Sequence, residues 1–99
     1  MIKHIVMWNV RGESREERAA SARAIKSRFE GLIGQVPGLL RLELGLDFSG
    51  LSHACDVVLY SEFSDKASLA GYADHPAHRK VVADLEGLRI SRHQVDYEI

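Results

Sequence analysis

The sequence has few features that could cross-link the chain or anchor it. It contains one cysteine, Cys55, so no disulfide can form within the chain, and a reducing cytoplasm is the expected location. No apolar run approaches the roughly 20 residues that a membrane-spanning helix needs. The first ten residues, MIKHIVMWNV, also lack the pattern of a secretion signal. We therefore expect a cytoplasmic protein with no membrane partner.

The chain also lacks an excess of charge of either sign. Its 13 basic and 14 acidic side chains give a formal net charge of −1, and the two signs alternate along the chain instead of clustering. Binding to nucleic acid or to an anionic membrane surface depends on a concentration of positive charge. Neither is expected as a partner.

What the chain does contain is typical of one small globular domain. Of its 99 residues, 45% are hydrophobic and 27% are charged. We assign residues 1–99 to a single domain. A chain of this length buries at most roughly two-thirds of its unfolded surface, so self-association would add to its stability.

Hydrophobic periodicity predicts a strand, a helix and a second strand in the N-terminal half. Residues 2–10 are rich in Ile and Val and apolar on both faces, as in a central strand. Ser14 and Glu17 have the spacing of a capping box. Apolar residues then recur at helical spacing until a Pro-Gly pair ends the helix. Residues 39–47 alternate Leu with polar residues or Gly, which predicts a strand with one buried face.

The C-terminal half predicts two further strands around a broken helix. Residues 55–63 form the third strand, and a short helix follows Ser64. Pro76 restarts that helix at the position where proline is favoured, and residues 88–98 alternate as the last strand. The resulting order, β-α-β-β-α-β, predicts an α+β, ferredoxin-like fold: a four-stranded antiparallel sheet with its helices on one face. Within it we expect the first and third strands to be parallel central neighbours.

Helices on one side leave the other face of the sheet uncovered. We expect that face to carry these apolar side chains: Ile5, Met7, Val57, Leu59, Phe63 and Val95. So much contiguous apolar surface is rarely left in water. A two-fold dimer whose sheets close into one α/β barrel would bury it. We therefore predict a homodimer.

The stretch GYADHPAHRK, residues 71–80, concentrates groups that can exchange protons. Tyr72, His75 and His78 follow one another at intervals of three, which would bring them toward one face of a continuous helix. The whole chain resembles the stress-responsive α/β-barrel (Dabb) family in its start MIKHIV, in the Asp-Val-Val of residues 56–58 and in YADHPAH. The resemblance implies the same fold and a dimer, and no single activity.

One branch of that family is enzymatic. Plant polyketide cyclases similar to olivetolic acid cyclase close a linear polyketide by aldol condensation, using a histidine base and a tyrosine. The resemblance implies that the base is His78, that its partner is Tyr72 and that a pocket histidine is His4. Asp56 stands where the plant enzyme has a second pocket histidine, and the first helix has no tyrosine. The pocket therefore differs from that of the plant enzyme, and the identity of the substrate does not carry over.

We expect a ligand pocket between the helices and the sheet. His4 and Asp56 would meet across the first and third strands, where the carboxylate would orient the imidazole and favour its protonation. Tyr72 and His78 would lie above that pair. The remaining ligand contacts are predicted to be Val6, Trp8, Phe29, Val58, Tyr60 and His75.

The chemistry expected of this pocket is proton transfer. His78 could abstract a proton next to a carbonyl group, since the ordinary histidine pKa of about 6.5 suits a base near neutral pH. Tyr72 could hold the base or donate to the developing oxyanion. The protein would then be a cofactor-independent cyclase, lyase or isomerase acting on a small carbonyl- or hydroxyl-bearing metabolite.

Non-enzymatic interpretations are also compatible with the sequence. The pocket could bind a metabolite without chemistry, in a stress-related role. It could also be filled by Trp8, Phe29 and Tyr60 in a purely structural dimer. His4 could then be part of a polar pair in the core, and His75 could be only a helix cap.

A redox or metal function has weaker support. Asn9, Trp8 and His78 match the residue types of cofactor-independent or haem-degrading monooxygenases of this architecture, but consecutive strand residues point to opposite faces. His75 and His78 have no further ligand at a suitable spacing. No metal or cofactor is predicted.

Overall fold

Four strands and three helices make up the chain in the computed structural model, which describes residues 1–99. In chain order they are β1 (Ile2–Val10), α1 (Arg15–Glu30), β2 (Leu39–Leu46), β3 (Val57–Phe63), α2 (Lys66–Asp74), α3 (Pro76–Asp84) and β4 (Arg89–Glu98). The strands form one sheet in the order β2-β3-β1-β4, and every neighbouring pair is antiparallel. The predicted ferredoxin-like architecture is confirmed, with the last helical region divided into two helices.

Helix α1 begins at the predicted capping box. The hydroxyl of Ser14 accepts a hydrogen bond from the backbone N–H of Glu17 at 3.1 Å, which satisfies a donor that has no partner within the helix. At the other end of its apolar stripe, Ile25 and Phe29 are fully buried in the core. The stripe therefore packs α1 on the sheet and delivers Phe29 to the interior.

The second helical region is divided at His75. This residue has φ −64° and ψ 135°, so α2 ends before it and Pro76 begins α3. A residue before proline prefers this extended conformation, and proline lacks only an N–H that has no helical partner at this position. The His75 ring caps α3, since its Nδ1 accepts a hydrogen bond from the backbone N–H of Ala77 at 3.1 Å. Tyr72 and His78 consequently belong to two different helices.

The helix-covered face of the sheet forms one wall of the core. The side chains of the two central strands that point to the helices are all buried: Ile2, His4, Val6, Trp8, Val10, Val57, Leu59, Ser61 and Phe63. They pack with apolar side chains of α1, α2 and α3. None of the three helices has the length and apolarity needed to cross a bilayer.

Two expectations about this sheet are wrong. The first and third strands are antiparallel, with His4 opposite Ser61 and Trp8 opposite Val57. Helix α1 connects β1 to β2, and these two strands run in the same direction with β3 between them in the sheet. The chain turns back from β2 into β3, so β3 runs antiparallel to both. In addition, Val57, Leu59 and Phe63 face the helices and not the uncovered side.

The uncovered face mixes apolar and charged side chains. Ile5, Met7 and Val95 lie on this face, as predicted. Ile5 of β1 is directly opposite Val95 of β4. Tyr60 also lies here: its hydroxyl donates to the Glu62 carboxylate at 2.5 Å. This face has no helix over it.

Candidate functional site

A cleft of about 540 Å³ opens between the helices and the half of the sheet formed by β1 and β4. The residues that line it are His4, Val6, Trp8, Phe29, Leu59, Tyr72, His78, Val82, Arg89, Ile90, Ser91 and Arg92. Apolar walls with a few converging polar groups are typical of a small-molecule site. The two proposed catalytic residues, His78 and Tyr72, therefore border the same cleft as four of the predicted ligand contacts: His4, Val6, Trp8 and Phe29.

The other predicted contacts lie outside the cleft. Val58 and Tyr60 point to the uncovered face, because they alternate with the buried residues of β3. His75 is occupied as the cap of α3 and does not line the cleft. The sequence placed Val58 and Tyr60 on the wrong face, because alternation within a strand does not reveal which face the helices cover.

Asp56 has a structural position at the far end of β1 from His4. Its Oδ2 accepts a hydrogen bond from the backbone N–H of Val10 at 2.9 Å, and its own N–H donates to the carbonyl of Trp8 at 2.9 Å. Asp56 therefore continues the pairing of β1 and β3. The expected pair between His4 and Asp56 is wrong, since it depended on parallel strands.

His4 is paired with Asp96 of β4. The register of the two strands places these residues directly opposite each other, and Nδ1 of His4 lies 2.5 Å from Oδ1 of Asp96. His4 is buried, and its ring makes a T-shaped contact with the Tyr72 ring, with 6.0 Å between centroids. The carboxylate thus orients the imidazole in the floor of the cleft. The antiparallel order of β1 and β4 is the signal that would have identified Asp96.

The ring of His78 is held by the end of the preceding helix. Its Nδ1 lies 3.1 Å from the carbonyl oxygen of Ala73. A carbonyl can only accept, so we assign the proton to Nδ1, which leaves a lone pair on Nε2 of the neutral ring. Burial lowers the pKa of His78, and the bond to Ala73 acts in the opposite direction with less effect. A neutral imidazole with a free nitrogen is the form that a general base requires.

Tyr72 lies beside His78 as a buried phenol. It is 3% exposed, and its ring centroid is 4.4 Å from that of His78. Burial raises the pKa of Tyr72, and the charges of Arg92 and Arg89 oppose this to a smaller extent. The hydroxyl is therefore protonated at neutral pH and can donate a hydrogen bond. No group within the protein bonds to it, so that bond is available to a ligand.

An aromatic pair forms the apolar wall of the cleft. Trp8 and Phe29 stack with their ring centroids 5.1 Å apart and 23° between their planes. The indole Nε1 of Trp8 is buried and has no hydrogen-bond acceptor. Such a wall suits a flat or apolar ligand body.

Two arginines border the cleft that were not identified from the sequence. Arg89 and Arg92 belong to the first residues of β4, and the guanidinium of Arg89 lies over the Trp8 ring at 5.4 Å from its centroid. Burial, together with the neighbouring charge of Arg92, lowers the pKa of Arg89. In an alternating terminal strand, arginines are usually solvent-exposed, so composition offered no signal for them.

The residues proposed for metal or oxygen chemistry are not assembled. No group of three or more His, Cys, Asp or Glu side chains is placed to hold a metal ion. Asn9 alternates with Trp8 along β1, and its amide donates to the Ser91 hydroxyl at 2.9 Å. Asn9 therefore does not join Trp8 and His78 in the cleft.

Comparison with known proteins agrees with this architecture. A family model described as "Stress responsive A/B Barrel Domain" (Dabb) matches residues 2–99. A dimeric protein of unknown function with a ferredoxin-like fold, from Bacteroides fragilis, is 30% identical with a TM-score of 0.81; the match covers 99% of this chain and 95% of that one. A dimeric ferredoxin-like protein of unknown function from a Jannaschia species is 28% identical with a TM-score of 0.75, over 99% and 98% of the two chains.

The fold is shared with an enzyme of low sequence identity. A hydroxynitrile lyase from Passiflora edulis has a TM-score of 0.79 over 99% of this chain and 92% of its own, with 14% identity. At that identity the likeness concerns the fold alone. No protein with a curated description matches the sequence significantly.

Proposed function

This chain belongs to the stress-responsive A/B barrel domain family, and from that premise we propose that it is a homodimer with one metabolite site in each subunit. The site binds a small carbonyl- or hydroxyl-bearing compound in the cleft between helices and sheet. There, His78 acts as a base with Tyr72 as its partner, in a cyclase, lyase or isomerase reaction without a cofactor. The observation that carries this proposal is the contact between the rings of His78 and Tyr72, with Nε2 of His78 and the Tyr72 hydroxyl both without a hydrogen-bond partner.

The proposed reaction begins with proton transfer to His78. Its Nε2 takes a proton from the carbon next to the substrate carbonyl, and the electron pair of that C–H bond moves onto the carbonyl oxygen. The Tyr72 hydroxyl donates to this oxygen, where negative charge develops. In a cyclisation, the resulting enolate carbon attacks a second carbonyl, whose oxygen receives the electron pair and takes the proton from His78. In an isomerisation, the enolate takes the proton back from His78 at another position. No electron is gained or lost by the protein.

His4 and Asp96 have a supporting role in this scheme. Their contact at 2.5 Å fixes the ring of His4 beneath Tyr72. The edge of that ring limits how Tyr72 can turn, so the hydroxyl keeps its direction. His4 is thus a positioning residue in the proposal, and the proton is moved by His78.

The proposed homodimer is supported by the relatives and by the uncovered face. The two similar ferredoxin-like proteins, from Bacteroides fragilis and a Jannaschia species, are described as dimeric. Apolar side chains of the uncovered face are solvent-exposed in the single chain: Met7 is 38% exposed and Val95 is 51% exposed. Light scattering should give twice the chain mass of 11.1 kDa. A mass of one chain at micromolar concentration would contradict the dimer.

Exchange of carbon-bound protons with solvent tests the catalytic part. Hydroxynitriles are tested in a separate assay for release of aldehyde and cyanide, because a protein of this fold is described as a hydroxynitrile lyase. For the exchange measurement, the protein is incubated in D₂O with small β-diketones. Loss of proton NMR signals reports the transfer. We expect exchange that falls by at least about a hundredfold in His78→Ala, the usual contribution of a general base, and also falls in Tyr72→Phe.

His53→Ala is the matched control, because His53 is exposed in a loop away from the cleft. It should exchange protons at the wild-type rate. Wild-type rates in both the His78 and Tyr72 variants would refute the assignment of base and partner. Ligand binding without any exchange would refute catalysis and leave a binding protein.

A further inference from the structure

We propose that Arg89 and Arg92 make the cleft a carboxylate site. Its ligand is a small acid whose apolar or aromatic body lies against Trp8 and Phe29 and whose carboxylate pairs with the two guanidinium groups. The inference rests on the proposed function for the location of the site. It adds the class of ligand, and it holds whether or not His78 performs chemistry.

An irregularity in β4 brings the two arginines to the same side of the sheet. Residues three apart in a regular strand point to opposite faces. Here the register shifts between Asn9 and Val10, so that Arg92 is opposite Trp8 while Arg89 is opposite Val10. Both partners are buried beneath the helices, and both arginines therefore lie on the helix-covered face. Bulges of this kind commonly redirect a side chain next to a functional site.

Neither arginine has a counter-ion in the protein. The arginine salt bridges of the structure are made by Arg28, Arg41 and Arg79. No Asp or Glu is among the residues that line the cleft. Asp96, on the same strand, has one oxygen bonded to His4 and the other to Gln94. Two guanidinium groups thus face a cleft without the anion that would neutralise them.

The positive charge of Arg92 acts on Arg89. The pKa of Arg89 is lowered first by burial and then by the charge of Arg92. The two arginines therefore disfavour any further positive charge in the cleft, and a negative charge there would stabilise both. An anion bound here gains from both arginines, and it is shielded from water by the aromatic wall.

The surroundings favour a carboxylate on an apolar body over inorganic phosphate. The guanidinium of Arg89 lies over the Trp8 ring and pairs with no carboxylate of the protein, so its N–H groups are free for the two oxygens of a carboxylate. The stacked ring of Phe29 extends the same wall. A ligand without an apolar part would make no apolar contact with that wall.

The position of the arginines relates the acid to the reacting groups. Both charges act on Tyr72 and on His78. A carboxylate held by the arginines would consequently place the adjoining carbons near the Tyr72 hydroxyl and Nε2 of His78. Small keto acids and hydroxy acids carry a carboxylate together with a carbonyl or hydroxyl group, as such a ligand requires.

The single tryptophan makes the test direct. Trp8 is the only tryptophan of the chain, so quenching of its fluorescence reports occupancy of the cleft, with calorimetry as a second measurement. The probes are 3-phenylpropanoate and 3-phenylpropan-1-ol, which share the aromatic body and differ in the carboxylate. We expect the acid to bind at least about tenfold more tightly, as a charge-assisted pair should allow.

The variants separate charge from shape. Arg89→Gln and Arg92→Gln should each weaken binding of the acid by about tenfold or more and leave binding of the alcohol unchanged. Arg79→Gln is the control, because Arg79 is an exposed arginine paired with Asp74 outside the cleft. Added salt should weaken binding of the acid alone.

The possible outcomes distinguish this inference from the proposed function. Equal affinity for acid and alcohol, with no effect of either arginine change, overturns the carboxylate site and leaves the cleft. Competition by inorganic phosphate at equal affinity also overturns it, because the apolar body would then be irrelevant. Absence of binding by both probes at millimolar concentration overturns it together with the ligand cleft. Tight binding of the acid with no proton exchange supports this inference and refutes catalysis.

Discussion

Truncation of two buried phenylalanines should cost different amounts of stability, because only one of them borders the cleft. Phe29 and Phe63 are 1% and 0% exposed, respectively. Phe29 lines the cleft, whereas Phe63 packs behind it with its ring centroid 5.1 Å from that of Tyr72. A Phe→Ala change in a core costs about 3–5 kcal/mol, and part of that cost comes from the void that is left.

The surroundings of each ring decide where in that range the loss should fall. The void left by Phe29→Ala would join a solvent-open cleft of about 540 Å³, so it creates no closed cavity and should cost about 3 kcal/mol. The void left by Phe63→Ala would be enclosed by the core and would stay dry. It should cost about 5 kcal/mol.

Urea unfolding followed by circular dichroism measures both losses. The chain concentration is kept constant, since association changes the apparent stability. Phe29→Leu and Phe63→Leu are the controls, and they should recover most of each loss because they restore most of the volume. Equal losses in the two alanine variants, or a larger loss at Phe29, would refute the reasoning that the cleft is open at that ring.

Three further predictions concern pH, a turn and a strand end. Burial lowers the pKa of His78 in the folded protein, so as the pH falls the unfolded chain takes up this proton before the folded one does. The free energy of unfolding should therefore decrease below about pH 6.5, and it should decrease less in His78→Asn. Midpoints of urea unfolding across that pH range measure both. Gly38 has φ +80°, and a Cβ there would lie 2.4 Å from Cβ of Ser68. Gly34 also has a positive φ, +83°, but a Cβ there would meet nothing within 4 Å. Gly34→Ala should therefore lower the free energy of unfolding by only about 1 kcal/mol, and Gly38→Ala should lower the thermal midpoint more. Asp56→Ala should lower the free energy of unfolding in urea by about 1–2 kcal/mol, because the backbone N–H of Val10 loses its side-chain acceptor, and it should leave ligand affinity unchanged. Asp56→Asn keeps an oxygen acceptor, so an equal loss in that variant would contradict this explanation.

The break at His75 explains how the site is assembled. The prediction that a continuous helix would bring Tyr72 and His78 toward one face is wrong, because residues six apart are not separated by close to a whole number of turns. The extended conformation of His75 ends α2 and lets α3 start in a new direction. The rings of Tyr72 and His78 then approach to 4.4 Å. Pro76 is therefore part of the site through geometry, although it does not line the cleft.

The elements of the fold could be predicted because their signals are local. The capping box at Ser14 and the proline restart at Pro76 each act within a few residues, and the structure has both. In β2 the predicted alternation buries Leu42 and Leu44 but leaves Leu40 and Leu46 exposed, and the pairing with β3 is irregular at Leu40. The element order then restricts the topology to few choices. His78 and Tyr72 could also be selected, because residue type and family resemblance pointed to the same short stretch.

Pairings between distant residues could not be read in the same way. The partner of His4 depends on which strand lies beside β1 and in which direction it runs; it is Asp96 and not Asp56. Val58 and Tyr60 were assigned to the pocket, yet they lie on the uncovered face. Moving a strand by one residue exchanges its two faces, so a small error of register changes the whole set of contacts.

The amino-acid sequence by itself determined the elements, their order, the ferredoxin-like fold and the two residues proposed for proton transfer. Only the tertiary structure decided the antiparallel register, the partner of His4 and the presence of Arg89 and Arg92 in the cleft. The physical reason is that helix caps and hydrophobic periods arise from neighbours in the chain. The position of Arg89 depends instead on one irregularity in the pairing of β1 with β4, two strands that lie far apart in the sequence.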